Sequence, residues 1–485
     1  MCTRRKTIIA AFISSFLSKR GATVVALTHL QHCITSLPLF EGVGVTSIHA
    51  ACIEGQKYQE MQFYSIHVGT KRGSLKRVTW SAPADPDIDI DDVEKRADDY
   101  LNMDIHDYAD TNGFALKPYP IYSMIHIPKG KNHHHYNNEE GGGLCSTRPE
   151  SILCGGGDRY ITVWNNMENN IIQKPTRNGR IQDTWQIVNQ LGPHTGWVKD
   201  MVSYSQSSTD TPLLFSIGCN CIEIWKMNCK HGSKSKSASP QWSWQHDSKL
   251  EIESSLEFGC TLSSDLLCLG VCNKSAKHRS TSPTDTESVY LFAGGVDGRL
   301  HRWTLTLDGS LKNAEHRSAH QGRVNEILVC EEFNVLASIG SDGVLLCKSM
   351  RDGPFEEWTG VSLDINQAII GAACMEKSSD FTVKVTSVCC LRENDKEAIL
   401  VVGCSSGLAV PVELTRLDGV LNLKVLQESV MKFEKECTIH ALEVIHRITR
   451  SKNGRIHAYY YLIAGTSEGL SIGSLIMKNH PVMEK

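Results

Sequence analysis

The segment that decides the fold of this 485-residue chain lies at residues 291–303 and has the sequence LFAGGVDGRLHRW. It opens with a short apolar run, reaches the Asp297-Gly298 pair, and continues with alternating residues up to Trp303. An Asp-Gly pair between two such runs signals a tight β-hairpin, because glycine readily adopts the positive φ that the turn requires. The segment therefore predicts two neighbouring strands in the interior of a sheet.

The same pattern of apolar residues, glycine, polar turn and alternating run recurs along the chain. Its seven copies lie at residues 65–80, 153–164, 214–225, 291–303, 336–348, 400–412 and 462–474. Further apolar segments of strand length flank the copies, for example at residues 197–202, 324–330, 386–391, 440–445, 241–245 and 421–427. Four antiparallel strands per copy make one blade of a β-propeller. Seven copies therefore predict an all-β, seven-bladed ring.

Residues within the copies resemble the WD40-repeat, or transducin-like, β-propeller family. Blades of that family carry a blade-opening His, a Ser and an Asp around the central turn, and a Trp after the third strand. The matching residues here are His194, Ser216 and Trp225 in the third copy, and His320, Ser338 and Asp342 in the fifth. The repeats are degenerate, since no copy ends in a Trp-Asp dipeptide and Lys348 stands where the fifth would have Trp. The resemblance implies hydrogen-bond networks that hold each loop against its sheet.

Repetition assigns nearly the whole chain, residues 22–478, to one propeller, with residues 479–485 as a C-terminal tail. We expect Ala22 to Leu30 to supply the outer strand of the seventh blade.

Seven copies in 485 residues leave about 69 residues each, against about 40 to 45 in a compact WD40 blade. The excess is assigned to loop insertions. Acidic and His-rich insertions lie at about residues 83–118 and 129–149, and basic, Ser-rich ones at about 230–240 and 273–288.

The first 40 residues contain Lys and Arg but no acidic residue, and residues 1–21 resemble an organellar targeting segment. A secretory signal and an untargeted tail are the alternatives. Cysteines scattered through apolar runs favour a reducing intracellular compartment, either a plastid or mitochondrion or the cytoplasm or nucleus. No apolar run is long enough to predict a membrane span.

Composition limits the ligands that the chain is expected to bind. The 50 Lys and Arg against 54 Asp and Glu create no global positive field that would attract nucleic acid. The 18 Cys lack the paired spacing of a zinc site, and their positions favour buried core thiols. Metal binding by the His133-His134-His135 run is the alternative. The glycines at 155–157 are not followed by the Lys of a phosphate-binding loop, so we expect neither a metal nor a small-molecule cofactor.

The resemblance also indicates a binding face, at the loops that open the blades and the start of each first strand. Candidate partner-binding residues on this face are Trp197, Lys199, Arg323, Asn325, Tyr122 and His440. Aromatic and Arg side chains are the types that anchor protein interfaces, while loop packing is the alternative role for each residue.

Three functions follow as hypotheses. The first is a non-enzymatic scaffold or adaptor that binds protein partners in a multiprotein complex. The second is an RNA-associated propeller, in which Lys199, Arg323 and the basic insertion at 230–240 form a local patch. The third is a propeller enzyme. Ser338, His320 and Asp342 are the residue types of an acyl-transfer triad, but the chain lacks a Gly-x-Ser-x-Gly nucleophile elbow.

Overall fold

The computed structural model describes residues 29–37, 44–58, 61–83, 104–107, 119–130, 148–166, 185–205, 212–230, 241–251, 256–257, 260–261, 265–273, 289–306, 310–350, 354–370, 383–394, 396–433, 437–450 and 456–477. Within these ranges, seven antiparallel sheets are arranged in a ring, and almost every residue in regular structure is in a β-strand. The protein is a seven-bladed β-propeller, as the repeats predict.

Blades 1 to 4 each contain four strands that follow one another in chain order. Blade 1 contains β2 (Val45–Tyr58), β3 (Met61–Thr70), β4 (Leu75–Pro83) and β5 (Asp104–Asp107). Blade 2 contains β6 (Ile121–Ile127), β7 (Ser151–Gly156), β8 (Ile161–Asn166) and β9 (Trp185–Leu191). Blade 3 contains β10 (Val198–Tyr204), β11 (Leu213–Gly218), β12 (Cys221–Lys230) and β13 (Gln241–Glu251). After the β14–β15 hairpin (Leu256–Glu257 and Cys260–Thr261), blade 4 contains β16 (Leu266–Asn273), β17 (Val289–Gly295), β18 (Arg299–Leu305) and β19 (Leu311–Ser318).

Blades 5 to 7 complete the ring. Blade 5 contains β20 (Val324–Cys330), β21 (Val335–Gly340), β22 (Val344–Ser349) and β23 (Gly360–Asp364), with a 3₁₀ turn at Phe355–Glu357 and helix α1 at Ile365–Ile370. Blade 6 contains β24 (Val385–Glu393), β25 (Glu397–Cys404), β26 (Leu408–Leu417), β27 (Val420–Val425) and the short β28 (Met431–Lys432), with a 3₁₀ turn at Gln427–Ser429. Blade 7 contains β29 (Ile439–Arg450), β30 (Ile456–Thr466), β31 (Gly469–Met477) and β1 (His29–Leu37).

Blade 7 joins the two ends of the described chain, because β1 pairs with β31 as its outermost strand. The sequence predicted an N-terminal strand in this role but placed it at Ala22 to Leu30. The described strand spans His29–Leu37, whereas residues 22–28 lie outside the described residues, as does the predicted targeting segment at 1–21. Since hydrogen bonds cross from one end of the chain to the other, opening the ring requires breaking a strand pair.

The strand registers support the alignment of the repeats. Four residues at the same place on the third strand each pair with an apolar residue of the second strand. The pairs are Ile152 with Trp164, Leu214 with Trp225, Leu291 with Trp303, and Leu336 with Lys348. The predicted turns also form, and Gly298 and Gly343 have φ values of +76° and +80°. These values lie in the left-handed region that favours glycine.

The hydrophobic core lies between neighbouring blades, where the face of one sheet packs on the next. Leu153 of blade 2 and Leu214 of blade 3 share one buried cluster, and Ile66 of blade 1 and Ile463 of blade 7 share another. The innermost strands β2, β6, β10, β16, β20, β24 and β29 contact one another in this cyclic order around a central channel. Burying an aliphatic side chain of this size contributes about 1.5–3 kcal/mol, so these contacts between neighbouring blades are a main source of the stability of the ring.

The insertions fall only partly within the described residues. The acidic insertion at about 83–118 contains the outer strand of blade 1, Asp104–Asp107, although the sequence assigned this stretch entirely to loop. Most of the insertions at 129–149, 230–240 and 273–288 lie outside the described residues. Among the residues that are described, no helix has the length and apolar character needed to cross a bilayer.

Candidate functional site

All seven innermost strands share a β-bulge directly after their first residue. The pairing register with the second strand shifts there in every blade. The bulge residues, called the bulge ring below, are Thr46, Tyr122, Lys199, Leu267, Asn325, Thr386 and His440. A bulge redirects the side chain of its extra residue. The bulge ring therefore marks one end of the channel, the channel mouth.

Four of the six candidate partner-binding residues, Tyr122, Lys199, Asn325 and His440, belong to the bulge ring. Tyr122 of blade 2 stacks on Trp197 of blade 3, with ring centroids 5.8 Å apart and an interplanar angle of 21°. The ammonium of Lys199 lies 4.4 Å from the centroid of the Tyr122 ring and 4.5 Å from that of Trp197. Cation–π attraction and stacking hold these three side chains, the mouth cluster, together across two blades.

The mouth cluster is accessible and lies in a mixed electrostatic environment. Trp197 is 51% exposed. Partial desolvation lowers the pKa of Lys199, and the nearby Arg323 guanidinium lowers it further, whereas Asp265 raises it. The arrangement can therefore offer an apolar aromatic face together with positive charge, partly compensated by the Asp265 carboxylate.

The two remaining blades with candidate residues differ in how firmly those residues are held. Arg323 is exposed, and its Nε donates a 3.0 Å hydrogen bond to Asn325. Asn325 in turn donates from Nδ2 to the carbonyl oxygen of Val385 in blade 6, at 2.7 Å. His440 is exposed at the mouth, where desolvation and the nearby Lys71 ammonium lower its pKa. Asn325 thus connects two blades, while Arg323 and His440 face solvent.

The polar network of blade 3 contains the three residues that the WD40 resemblance indicates. His194 Nδ1 lies 3.2 Å from the carbonyl oxygen of Arg159, and its Nε2 lies 2.8 Å from Ser216 Oγ. Trp225 Nε1 donates to the same hydroxyl oxygen at 2.9 Å. Because a carbonyl can only accept, His194 donates from Nδ1, and the Ser216 hydroxyl donates to Nε2. Desolvation lowers the pKa of His194, in keeping with this neutral form.

Blade 5 builds a related network with a different third residue. His320 Nε2 lies 2.9 Å from Ser338 Oγ, and His320 Nδ1 lies 3.2 Å from the Asp342 carboxylate. Asp342 also accepts hydrogen bonds from the backbone N–H groups of Gln321 and Val344. Desolvation lowers the pKa of His320 despite the opposing effect of Asp342. The order Ser–His–Asp is that of a hydrolase triad, but Ser338 is only 1% exposed.

Lys348 takes the place of the Trp in blade 5. It is buried, and its Nζ lies 5.8 Å from the centroid of the Phe355 ring, which the 3₁₀ turn after β22 supplies. Desolvation, together with the nearby Arg317, lowers the pKa of Lys348 to about 8. Phe355 therefore lies beside Lys348, at the position where the first four copies have a tryptophan.

Sequence reasoning missed a set of carboxylates on the innermost strands. Asp200 and Glu326 directly follow the bulges of blades 3 and 5. Asp200 accepts hydrogen bonds from Ser123 Oγ of blade 2 and from the Leu269 N–H of blade 4, and Glu326 accepts one from the Val388 N–H of blade 6. Desolvation raises the pKa of Asp200 to about 6 and that of Glu326 to about 8.

A third such carboxylate is Glu443 of blade 7. It lies three residues after the bulge of its strand, whereas Asp200 and Glu326 lie one residue after theirs. The Ala50 N–H of blade 1 donates a hydrogen bond to it, and desolvation and the Glu326 charge raise its pKa to about 8. His49 Nδ1 lies 3.8 Å from the Glu443 carboxylate, and desolvation lowers the pKa of this histidine to about 4. These carboxylates satisfy N–H groups at the inner edge of the next blade. The available signal was an acidic residue inside an otherwise apolar strand.

Compared with known proteins, the chain matches no protein-family model and no curated protein. The geometry defines its class as a seven-bladed β-propeller, a fold that commonly serves as a platform for protein interactions.

Proposed function

We propose that this protein is a non-enzymatic, WD40-type scaffold that binds a protein partner at the channel mouth. The observation that carries the proposal is the mouth cluster, where an exposed Trp197 is held in place by Tyr122 and Lys199. A large aromatic side chain that is ordered before binding loses little conformational freedom on contact with a partner. Trp, Tyr and Arg are also the residues that contribute most to protein interfaces.

The WD40 assignment is supported by two features beyond the blade count. His194, Ser216 and Trp225 form the hydrogen-bonded set expected of the family. The N-terminal strand β1 also closes the last blade, which joins the ends of the ring as the resemblance implies.

The non-enzymatic part of the proposal rests on the burial of the one Ser–His–Asp series that we identified. A catalytic serine must reach its substrate and must face an oxyanion site. Ser338 is buried and paired with His320, and Asp342 pairs with His320 and accepts hydrogen bonds from the N–H groups of Gln321 in the blade-opening loop and Val344 in the turn. The series therefore fits a structural role that fixes the loop against blade 5.

An RNA partner is the competing proposal, and the same mouth cluster favours it. Exposed aromatic faces stack on bases, and adjacent lysines contact phosphates. The Asp265 carboxylate near Lys199 and the net charge of −4 weaken this reading. Salt dependence distinguishes the two partners, because binding to RNA weakens steeply as salt increases.

The experiment is affinity purification of the tagged full chain, comparing wild type with Trp197→Ala, Arg323→Glu and Leu417→Ala. Leu417 is a matched control, since it is 63% exposed but lies at the end of β26, away from the mouth. We expect both mouth variants to lose the same protein partner at unchanged melting temperature, while Leu417→Ala retains it. Retention by both mouth variants, or recovery of RNA alone in low salt, would contradict the proposal.

A further inference from the structure

A cluster of sulfur and oxygen atoms lies between blades 5 and 6, at the end of the innermost strands opposite the mouth. Cys330 ends β20, and Cys390 and Glu393 lie near the end of β24. The two Sγ atoms and one carboxylate oxygen of Glu393 all lie within 4.8 Å of one another. Sixty residues of sequence separate the two cysteines, so sequence spacing gives no sign of this cluster.

The surroundings of the cluster distinguish it from ordinary core thiols. Cys330 is completely buried, and Cys390 is partly buried. The Glu393 carboxyl group accepts hydrogen bonds from the backbone N–H groups of Glu332 and Phe333. Its Oε2 atom is nevertheless buried and has no hydrogen-bond partner among the described residues. A buried acceptor without a partner is a place where an ordered water or an ion is expected.

Cysteine thiolates and glutamate carboxylates are both among the donor types that bind Zn²⁺ in proteins. With Zn–S bonds of about 2.3 Å, a tetrahedral site has sulfur atoms about 3.8 Å apart. Ligand atoms that already lie within 4.8 Å of one another thus reach this geometry by side-chain shifts of about 1 Å. The carboxylates of Glu331 and Glu332 lie near Glu393 and add a negative potential that favours a cation.

We propose that Cys330, Cys390 and Glu393 form a binding site for a Zn²⁺-class divalent cation that links blades 5 and 6. Three protein ligands leave the fourth position to solvent. On binding, each thiol gives its proton to solvent and forms a metal–sulfur bond, releasing two protons per cation.

The test is titration of the reduced, chelator-treated full chain with Co²⁺, which replaces Zn²⁺ and absorbs light when bound to thiolates. We expect thiolate-to-cobalt absorption that saturates at one equivalent, with release of two protons and a higher melting temperature. Cys390→Ala is expected to abolish this absorption. Cys389→Ala is the matched control, because Cys389 is adjacent in β24 but packs against blade 7, and it should behave as wild type.

Two more variants keep the test decisive if Cys390→Ala folds poorly. Cys330→Ser should also abolish the absorption. Glu393→Gln should retain it but weaken Co²⁺ binding by more than about tenfold, because losing even an outer-shell partner costs that much and Glu393 is a direct ligand. Circular dichroism without metal checks the fold of each variant. Absence of thiolate–cobalt absorption in wild type, or equal absorption in wild type and the folded Cys390→Ala or Cys330→Ser variant, would overturn the proposal.

Discussion

Blades 3 and 5 solve the same structural problem with different residues. Both hold a blade-opening histidine against a buried serine, but blade 3 completes the network with the Trp225 indole and blade 5 with the Asp342 carboxylate. The indole anchors the network to the third strand of its sheet, whereas the carboxylate anchors it to the turn before that strand. The His–Ser pair is therefore the shared element, and the third partner is interchangeable.

The two blades also differ at the mouth, at the bulge residue, although Arg323 is exposed just as Trp197 is. In blade 3, Trp197 and Lys199 contact the aromatic ring of Tyr122 and leave an accessible surface. In blade 5, Asn325 is bonded to the backbone of blade 6. The comparison shows that blade 3 places an accessible aromatic cluster at the mouth, whereas the bulge residue of blade 5 holds that blade to its neighbour.

The largest expected effect on stability distinguishes Trp225 from Asp342, the residues that complete the networks of blades 3 and 5. Trp225→Ala removes a buried indole from the core between blades 2 and 3, and should lower the free energy of unfolding by about 3–5 kcal/mol. Asp342→Ala removes hydrogen bonds but leaves little cavity, and should lower it by about 1–3 kcal/mol. Chemical denaturation, monitored by far-ultraviolet circular dichroism of the backbone, measures both values. Equal losses would mean that the indole contributes no more than its hydrogen bond.

The two buried serines provide a finer comparison. Ser216→Ala leaves both His194 Nε2 and Trp225 Nε1 without this partner, whereas Ser338→Ala affects only His320 Nε2. At about 1–3 kcal/mol for each buried group left unsatisfied, Ser216→Ala should be the more destabilising. The control is Ser341→Ala, at an exposed turn residue, which should change stability by less than about 0.5 kcal/mol. A larger loss for Ser338→Ala would contradict the assigned networks.

Asp200 and Glu326 occupy equivalent positions in blades 3 and 5 and predict two windows of pH dependence. Each carboxyl has a higher pKa in the folded protein than its ordinary value, so the folded state binds more protons. The associated stability is present at low pH and is lost as pH rises, up to about 6 for Asp200 and about 8 for Glu326. Glu443 adds a further contribution in the same upper window.

Denaturation measured across the pH range checks this assignment. Glu326→Gln should reduce the fall in stability between about pH 4.5 and 8, and Asp200→Asn should reduce it only below about pH 6. Glu356→Gln, at an exposed residue, is the control and should leave the profile unchanged. A Glu326→Gln profile that coincides with wild type would show that this carboxyl titrates normally.

The smallest effects on stability are expected at the mouth. Asn325→Ala breaks the hydrogen bond between blades 5 and 6 and should cost about 1–2 kcal/mol. Trp197→Ala removes a half-exposed side chain and should cost less than about 1 kcal/mol. Thermal and chemical denaturation distinguish the two, and a larger cost for Trp197→Ala would identify Trp197 as a packing residue.

Local patterns made much of the fold predictable. Hairpin signals recur with each copy, and the positions of Trp164, Trp225, Trp303 and Lys348 fixed the register within blades. Alignment of the repeats also predicted that Tyr122 and His440 match Lys199 and Asn325, and the structure places a bulge at each of these residues. These features depend on contacts between residues close in sequence, which a pattern in one chain can show.

Contacts between blades were not predictable in the same way. The hydrogen bond from the Val388 N–H to Glu326 joins residues about 60 positions apart in sequence, and so does the contact between Cys330 and Cys390. The limits of β1 and the placement of β5 inside the acidic insertion depend on which free strand edge a segment reaches. Such choices are decided by closure of the ring, not by local periodicity.

The most direct test of the mouth as the docking surface is site-specific photo-crosslinking of the full chain in its native cells. A photoreactive phenylalanine analogue, which unlike alanine keeps an aromatic ring beside Tyr122, would replace Trp197 in one variant and Leu417 in another, since both positions are exposed but only the first lies at the mouth. We predict one defined protein crosslinked from position 197 and none from position 417. Crosslinks to that protein from position 417 alone would contradict the assignment, and so would a crosslink from position 197 to RNA alone.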